Sequence, residues 1–172
     1  RRPTAVYPTR NVPRPALAGA SELRHVAVYL KDAPARAVTP MNVEIVQRHE
    51  TFVPRVVAVT VGSQVGFPND DPIYHNVFSL SRARTFNQVK FDRPGIVKVF
   101  CDIHSHMSAT VLVFNHPWFA VPSDDGRFAL PDVPVGDREI TAWHERLGDT
   151  TERVRIDAGL VSTTNFTLPV PV

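Results

Sequence analysis

The sequence predicts an all-β protein, and three observations carry that expectation. Sixteen prolines are scattered through 172 residues, nearly double the usual ~5% share. A proline inside a helix removes a hydrogen bond and clashes with the preceding turn, so long helices are disfavoured. Apolar residues come in short alternating runs bounded by turn residues, and no stretch has a persuasive helical period. Apolar content of 43% and charge of 21% are ordinary for a globular chain, and the length permits one generous domain or two small ones.

The elements follow in order. Residues 1–20 are rich in Pro, Ala and Arg without periodicity and read as a flexible arm. Residues 23–30 form the first strand, and 33–40 a loop. Residues 43–46 alternate, 56–61 are a strand, and Gly62-Ser63 is expected to make a tight hairpin turn into 65–67. The turn cluster Pro68-Asn69-Asp70-Asp71-Pro72 delivers 74–78. Residues 79–93 are loop-like and basic (Arg82, Arg84, Lys90, Arg93), with Phe86 and Phe91 as core anchors; the cluster reads as a solvated face, or as steering for an acidic partner. Pro94-Gly95 turns into the strand 96–101, and 109–114 returns. After the break at His116-Pro117, strands are expected at 127–130, 138–143, 152–157 and 161–168.

A charge of +2 with arginines and acids interspersed gives nucleic-acid binding little support. No apolar run approaches the ~20 residues of a membrane span. Arg1-Arg2 and Ala16-Leu17-Ala18 do not make a signal peptide, because Pro3, Pro8, Asn11 and Pro13 replace its apolar stretch. The chain is therefore expected to be a mature, processed one. A single cysteine excludes an internal disulfide.

Chemistry concentrates in Cys101-Asp102-Ile103-His104-Ser105-His106-Met107, which holds the only cysteine and one of two methionines. A thiolate, an imidazole and a thioether at C-x2-H-x2-M suit copper better than harder ions. Two imidazoles, one thiolate and a weak axial thioether describe a blue-copper site, and His75 is the best candidate for the second imidazole. The competing readings are a buried structural cysteine, a Cys–His nucleophile pair, and structural zinc, which rarely takes methionine.

Residues 43–114 resemble a cupredoxin, closest to the amicyanin and plastocyanin type. The likeness is carried by Phe52-Val53-Pro54, Val59-Thr60-Val61-Gly62, Val65-Gly66-Phe67-Pro68-Asn69, His75-Asn76-Val77, Pro94-Gly95 and Cys101-x2-His104-x2-Met107. The resemblance implies a Greek-key β-sandwich holding one type 1 copper on His75, Cys101, His104 and Met107. It also implies that Asn76 ties the two ligand loops together, and that the edge of His104 is the electron port. His106 stands where amicyanin has a phenylalanine; it reads as a solvated histidine, or as a modifier of the electron-transfer surface. Residues 121–143 resemble a carboxypeptidase-regulatory, transthyretin-like β module, through Asp125-Gly126-x-Phe128 and Val133-Pro134-x-Gly136.

These readings divide the chain into the arm, a copper domain at 41–115, and a companion β-sandwich at 116–172 together with 21–40. In the rival arrangement, 23–30 pairs within the copper domain. His25 and His49 read as strand or turn residues; His116 and His144, beside Trp118 and Trp143, read as packing, or as a second weak metal site or a contact surface. The expected function is single-electron transfer between redox partners (a cytochrome, dehydrogenase or oxidase) in the periplasm or outside the cell. The chain is not expected to be an enzyme. A copper carrier or chaperone is the alternative, and a catalytic copper site is opposed by Met107, which occupies the axial place a substrate would need.

Overall fold

The computed structural model describes residues 22–79 and 88–168. The arm at 1–20, together with Arg82, Arg84 and Phe86, lies outside the described residues. Among the described residues the one helical element is a 3-10 turn, Glu22–His25. Thirteen strands follow: β1 (Val26–Leu30), β2 (Asn42–Glu44), β3 (Val46–Arg48), β4 (Thr51–Val53), β5 (Val56–Thr60), β6 (Gln64–Gly66), β7 (Val77–Phe78), β8 (Gln88–Lys90), β9 (Gly95–Cys101), β10 (Ser108–Phe114), β11 (Phe119–Ala120), β12 (Gly136–His144) and β13 (Gly148–Ile156). The chain is all-β.

The strands form three principal sheets and one hairpin. A central sheet runs β5-β10-β9-β7, with β5 parallel to β10 and the other pairs antiparallel. A second sheet runs β2-β6-β8, and β3 pairs with β4. Hydrogen bonds from Ile45 and Gln47 to the carbonyls of Gly66 and Pro68 continue the parallel β2–β6 pairing through β3. The third sheet, β11-β1-β12-β13, is wholly antiparallel. Here β1 pairs with β12 from Val26↔His144 to Leu30↔Ile140, and with β11 at Val28↔Ala120. The strand pairing of residues 26–30 is therefore with segments beyond residue 115.

Alternation decides what each face buries. In β10, Ala109, Val111 and Val113 face the main core, beside Ile45, Phe52, Val59, Val65, Phe67, Phe91 and Val99. Leu112 faces the other way, meeting Ala27 and Val56 with Phe114 and Trp143 around them. Likewise Val26, Val28 and Leu30 of β1 face a core of their own with Trp118, Ile140 and Ala142, while Ala27 faces the central sheet. Tyr29 lies on that same side, its ring 5.1 Å from that of Phe114. Strands β1 and β10 are thus buried on both faces because each lies between two layers. Glu145, reached by Lys98 (3.1 Å) and Arg55 (3.7 Å), closes the edge of the same junction.

Several sequence expectations change. The Gly62-Ser63 turn is tight, but β5 and β6 belong to different sheets, so it is no hairpin. Ser63 N–H closes the turn on the Thr60 carbonyl (3.2 Å), while Gly62 N–H donates to the Phe91 carbonyl (2.7 Å) and Gln64 N–H to that of Met41 (2.8 Å). Gly62 has φ +83°, and a Cβ there would lie 3.1 Å from Pro40 Cγ, so only glycine fits. Residues 127–130 and 161–168 are not strands. Their alternation is a packing signal: Phe128, Leu130, Phe166 and Leu168 cover the outer face of β1 and β12 without joining a ladder. The first strand begins at Val26, after the 3-10 turn, and β8 and β11 are too short to show a period. Phe91 is a core anchor as expected.

Leu112 is 2% exposed and packs between the central and third sheets. Leu112→Ala should cost ~2–5 kcal/mol, the range for a large buried truncation, read as a fall in the denaturation midpoint. A loss below ~1 kcal/mol would mean that the layers do not depend on this contact.

Candidate metal centre

Strand register explains how residues 26 apart in sequence meet. Val77 of β7 lies opposite Cys101 of β9, so the chain two residues before Val77 must pass beside the Cys101 side chain. The preceding loop is set by Asn69, whose side chain accepts from Asp71 N–H (2.9 Å) and donates to the Ile73 carbonyl (2.8 Å). This local bonding of an Asn to its own backbone gives the turn cluster its shape. His75 leaves the loop with its side chain fully buried.

The other side is a short loop between paired strands. Since β9 and β10 pair at Phe100↔Ser108, the residues between must turn back on themselves. Met107 N–H donates to the His104 carbonyl (3.0 Å), and Cys101 N–H to the Met107 carbonyl (3.3 Å). Asp102 N–H donates to the Asn76 carbonyl (2.9 Å), which joins the two loops through main chain.

The result is a triangle of donors. His75 Nδ1 lies 3.1 Å from His104 Nδ1, and Cys101 Sγ lies 3.7 Å and 3.6 Å from those nitrogens. The centre of such a triangle is about 2.0 Å from every corner, against typical metal–nitrogen and metal–sulfur bonds of ~2.0–2.1 and ~2.3 Å. The three side chains therefore fit one metal ion without rearrangement. Cys101 is 3% exposed, and Met107, at 1%, belongs to the same buried cluster.

One participant was missed by the sequence reading. Asp71 Oδ2 lies 2.9 Å from His75 Nε2, and the same carboxylate accepts from His49 N–H (2.6 Å) and Glu50 N–H (2.9 Å). The Glu50 amide is the largest of the influences that hold the Asp71 carboxyl below its ordinary range, with His75 and His49 adding to it against partial burial. His49 and Glu50 both have left-handed backbones, φ +52° and +53°, a conformation costing ~1–2 kcal/mol per ordinary residue. The two successive amides of this turn both point at the Asp71 carboxylate, one to each oxygen. The available signal was an acid four residues before the candidate histidine; it was read only as part of a turn.

The remaining histidines separate. His106 is exposed, with Nε2 3.6 Å from a Glu50 carboxylate oxygen and its ring 5.9 Å from that of His104. His49 is a turn residue, and His116 is buried with Nδ1 accepting from Trp118 N–H (3.2 Å). His144 meets His25 and Glu22 rather than His116. That trio is poorly suited to a metal. His144 Nδ1 accepts from the amides of Arg146 and Leu147, so Nε2 carries the proton that reaches Glu22 (3.1 Å). Arg146 also pairs with the same carboxylate (2.8 Å).

No family model matches the sequence, and no curated protein does. Similar solved structures include a copper-containing nitrite reductase from Thermus scotoductus, 21% identical with a TM-score of 0.40; the overlap covers 49% of this chain and 25% of that one. Amicyanin from Paracoccus versutus is 19% identical over 51% of this chain and 97% of its own, with a TM-score of 0.38. A purple cupredoxin from Nitrosopumilus maritimus is 22% identical over 38% of this chain and 84% of its own, at 0.34. The overlaps are partial and the identities low; the donor geometry above is independent of them. Among the described residues no helix is long and apolar enough to cross a membrane.

Burial holds the imidazoles of His116 and His144 below their ordinary value of ~6.5, with Glu22 partly opposing it at His144. The unfolded chain takes up these protons near ~6.5 and the folded chain only at lower pH. Their contribution is thus complete above ~6.5 and is lost as pH falls through that range. Urea midpoints should decline as pH falls below about 6.5, and His116→Gln with His144→Gln should flatten the decline; a flat wild-type profile would contradict this.

Proposed function

We propose that the chain is a type 1 copper protein of cupredoxin kind that passes single electrons between larger redox partners. The observation that carries the reading is the convergence of His75 Nδ1, His104 Nδ1 and Cys101 Sγ from two loops at one end of the sheets. Cys101 as thiolate and the two imidazoles supply the trigonal donors, and Met107 is assigned the weak axial place. Copper held there supplies reversible one-electron exchange. The protein's part is to keep the donors still: Cys101 ends a paired strand, His75 is fully buried, and the ligand loop is closed by its own main-chain bonds. Donors that scarcely move between oxidation states leave little to reorganise during transfer.

The domain division is part of the proposal. Residues 41–115 form the copper-binding unit, and 116–172 with 21–40 form a companion β module. The pairing of β1 with β11 and β12, and the separate apolar cluster beneath them, support it. His104 is half-buried, and Ile73, Tyr74 and Ile103 on the ligand loops are 41%, 72% and 55% exposed. We assign that apolar rim to brief docking of a cytochrome, dehydrogenase or oxidase, since redox encounters use small interfaces. A periplasmic or extracellular setting fits such a role.

Copper(II) added to the purified chain should give intense visible absorption and narrow hyperfine splitting in its EPR spectrum. A pale, ordinary cupric spectrum with easily exchanged metal would favour a carrier instead. Cys101→Ser should abolish the colour and leave the chain folded by circular dichroism, since one small side chain is lost from a large cluster. Global unfolding of that variant would contradict the assignment of Cys101 as a ligand on an independently stable scaffold.

A further inference from the structure

The buried ligand His75 has two ring nitrogens with different partners. Nδ1 faces the donor triangle, while Nε2 faces Asp71 Oδ2 at 2.9 Å. An ionised carboxylate only accepts, so Nε2 must carry the hydrogen and the neutral ring must leave Nδ1 bare. The opposite tautomer would put a hydrogen on the atom that has to bind metal, and would set two lone pairs against each other at Nε2.

Asp71 is itself held on its other side. Its two oxygens are fixed by the His49 and Glu50 amides in the left-handed turn between β3 and β4. That turn is tied in its own right: Thr51 Oγ1 donates to the Arg48 carbonyl (2.6 Å), and Arg48 pairs with Asp70 (2.6 Å). From the same turn Glu50 reaches toward His106 on the other ligand loop (3.6 Å). The turn therefore touches both loops that carry donors.

We propose that Asp71 is the positioning residue of the centre, fixing His75 before any metal arrives in the one tautomer and orientation whose Nδ1 can bind copper. The role rests on the copper reading, but its first consequence does not need copper. The carboxylate does not touch the metal; it acts through the imidazole, as outer partners of metal-bound histidines do when they raise ligand basicity and fix the ring. Its negative charge also favours the more highly charged oxidation state, so its removal should raise the reduction potential.

The test is carried out on the metal-free full chain at a pH well above ~6.5, using long-range proton–nitrogen NMR correlations of the His75 ring. The wild type should show a single tautomer with the hydrogen on Nε2. Asp71→Ala should give a mixture, together with a loss of copper affinity of ~10–100-fold and a higher potential. Arg48→Ala loosens the turn without touching the Asp71–His75 bond, so it should leave the tautomer unchanged and shows what a purely structural change does. If wild-type His75 carries its hydrogen on Nδ1, or exchanges between forms, the proposal is overturned, whether or not Asp71→Ala folds. An unchanged tautomer in a folded Asp71→Ala overturns it as well. If the tautomer depends on Asp71 but the wild type binds no copper, the positioning role stands and the copper reading fails.

Discussion

The antiparallel pairing of β7 with β9 is the constraint on which the rest of the centre depends. It is only two residues deep, Val77↔Cys101 and Phe78↔Phe100, yet it sets where His75 enters and which way Cys101 points. A slip of one residue would send the Cys101 side chain to the opposite face of the sheet and remove it from the triangle. The pairing is protected because Val77, Val99, Cys101, Met107 and Ala109 share one buried cluster. Displacing any of them would open a cavity in close-packed surroundings.

Around this pairing the molecule separates rigidity from exposure. Strand β10 is buried on both faces and joins the central sheet to the third one through Leu112, Val56 and Ala27. The donors sit at the other end of the β9–β10 pair, where the chain turns, and the His104 side of the loop approaches solvent. The carboxylates follow the same division. Glu145 closes the junction between sheets, while Asp71 and Glu50 brace the ligand end through the β3–β4 turn.

Much of this was legible in the chain. The run from Ile96 to Cys101 and the run from Ala109 to Phe114 announced paired strands, and the spacing of Cys101, His104 and Met107 announced a soft metal loop. His75 was the best candidate for the second imidazole, and the cupredoxin resemblance of His75-Asn76-Val77 implied it as a ligand. Asp71 was overlooked because turn chemistry and metal chemistry use the same residue type, and in sequence the former explained it fully. The segments 127–130 and 161–168 misled for a related reason. Alternating apolar residues record which side of an extended chain is buried, and say nothing about whether its amides find a neighbouring strand.

By itself, the sequence determined the all-β class and most strand positions, and it singled out Cys101-x2-His104-x2-Met107 as a candidate soft-metal loop, because these follow from local periodicity and donor chemistry. Only the tertiary structure decided that Gly62 turns between two sheets, that β1 joins β11 and β12, and that the amides of His49 and Glu50 hold the Asp71 carboxylate. Each of these depends on hydrogen bonds between segments 20 or more residues apart, whose partners are chosen by the packing of whole layers rather than by neighbours along the chain.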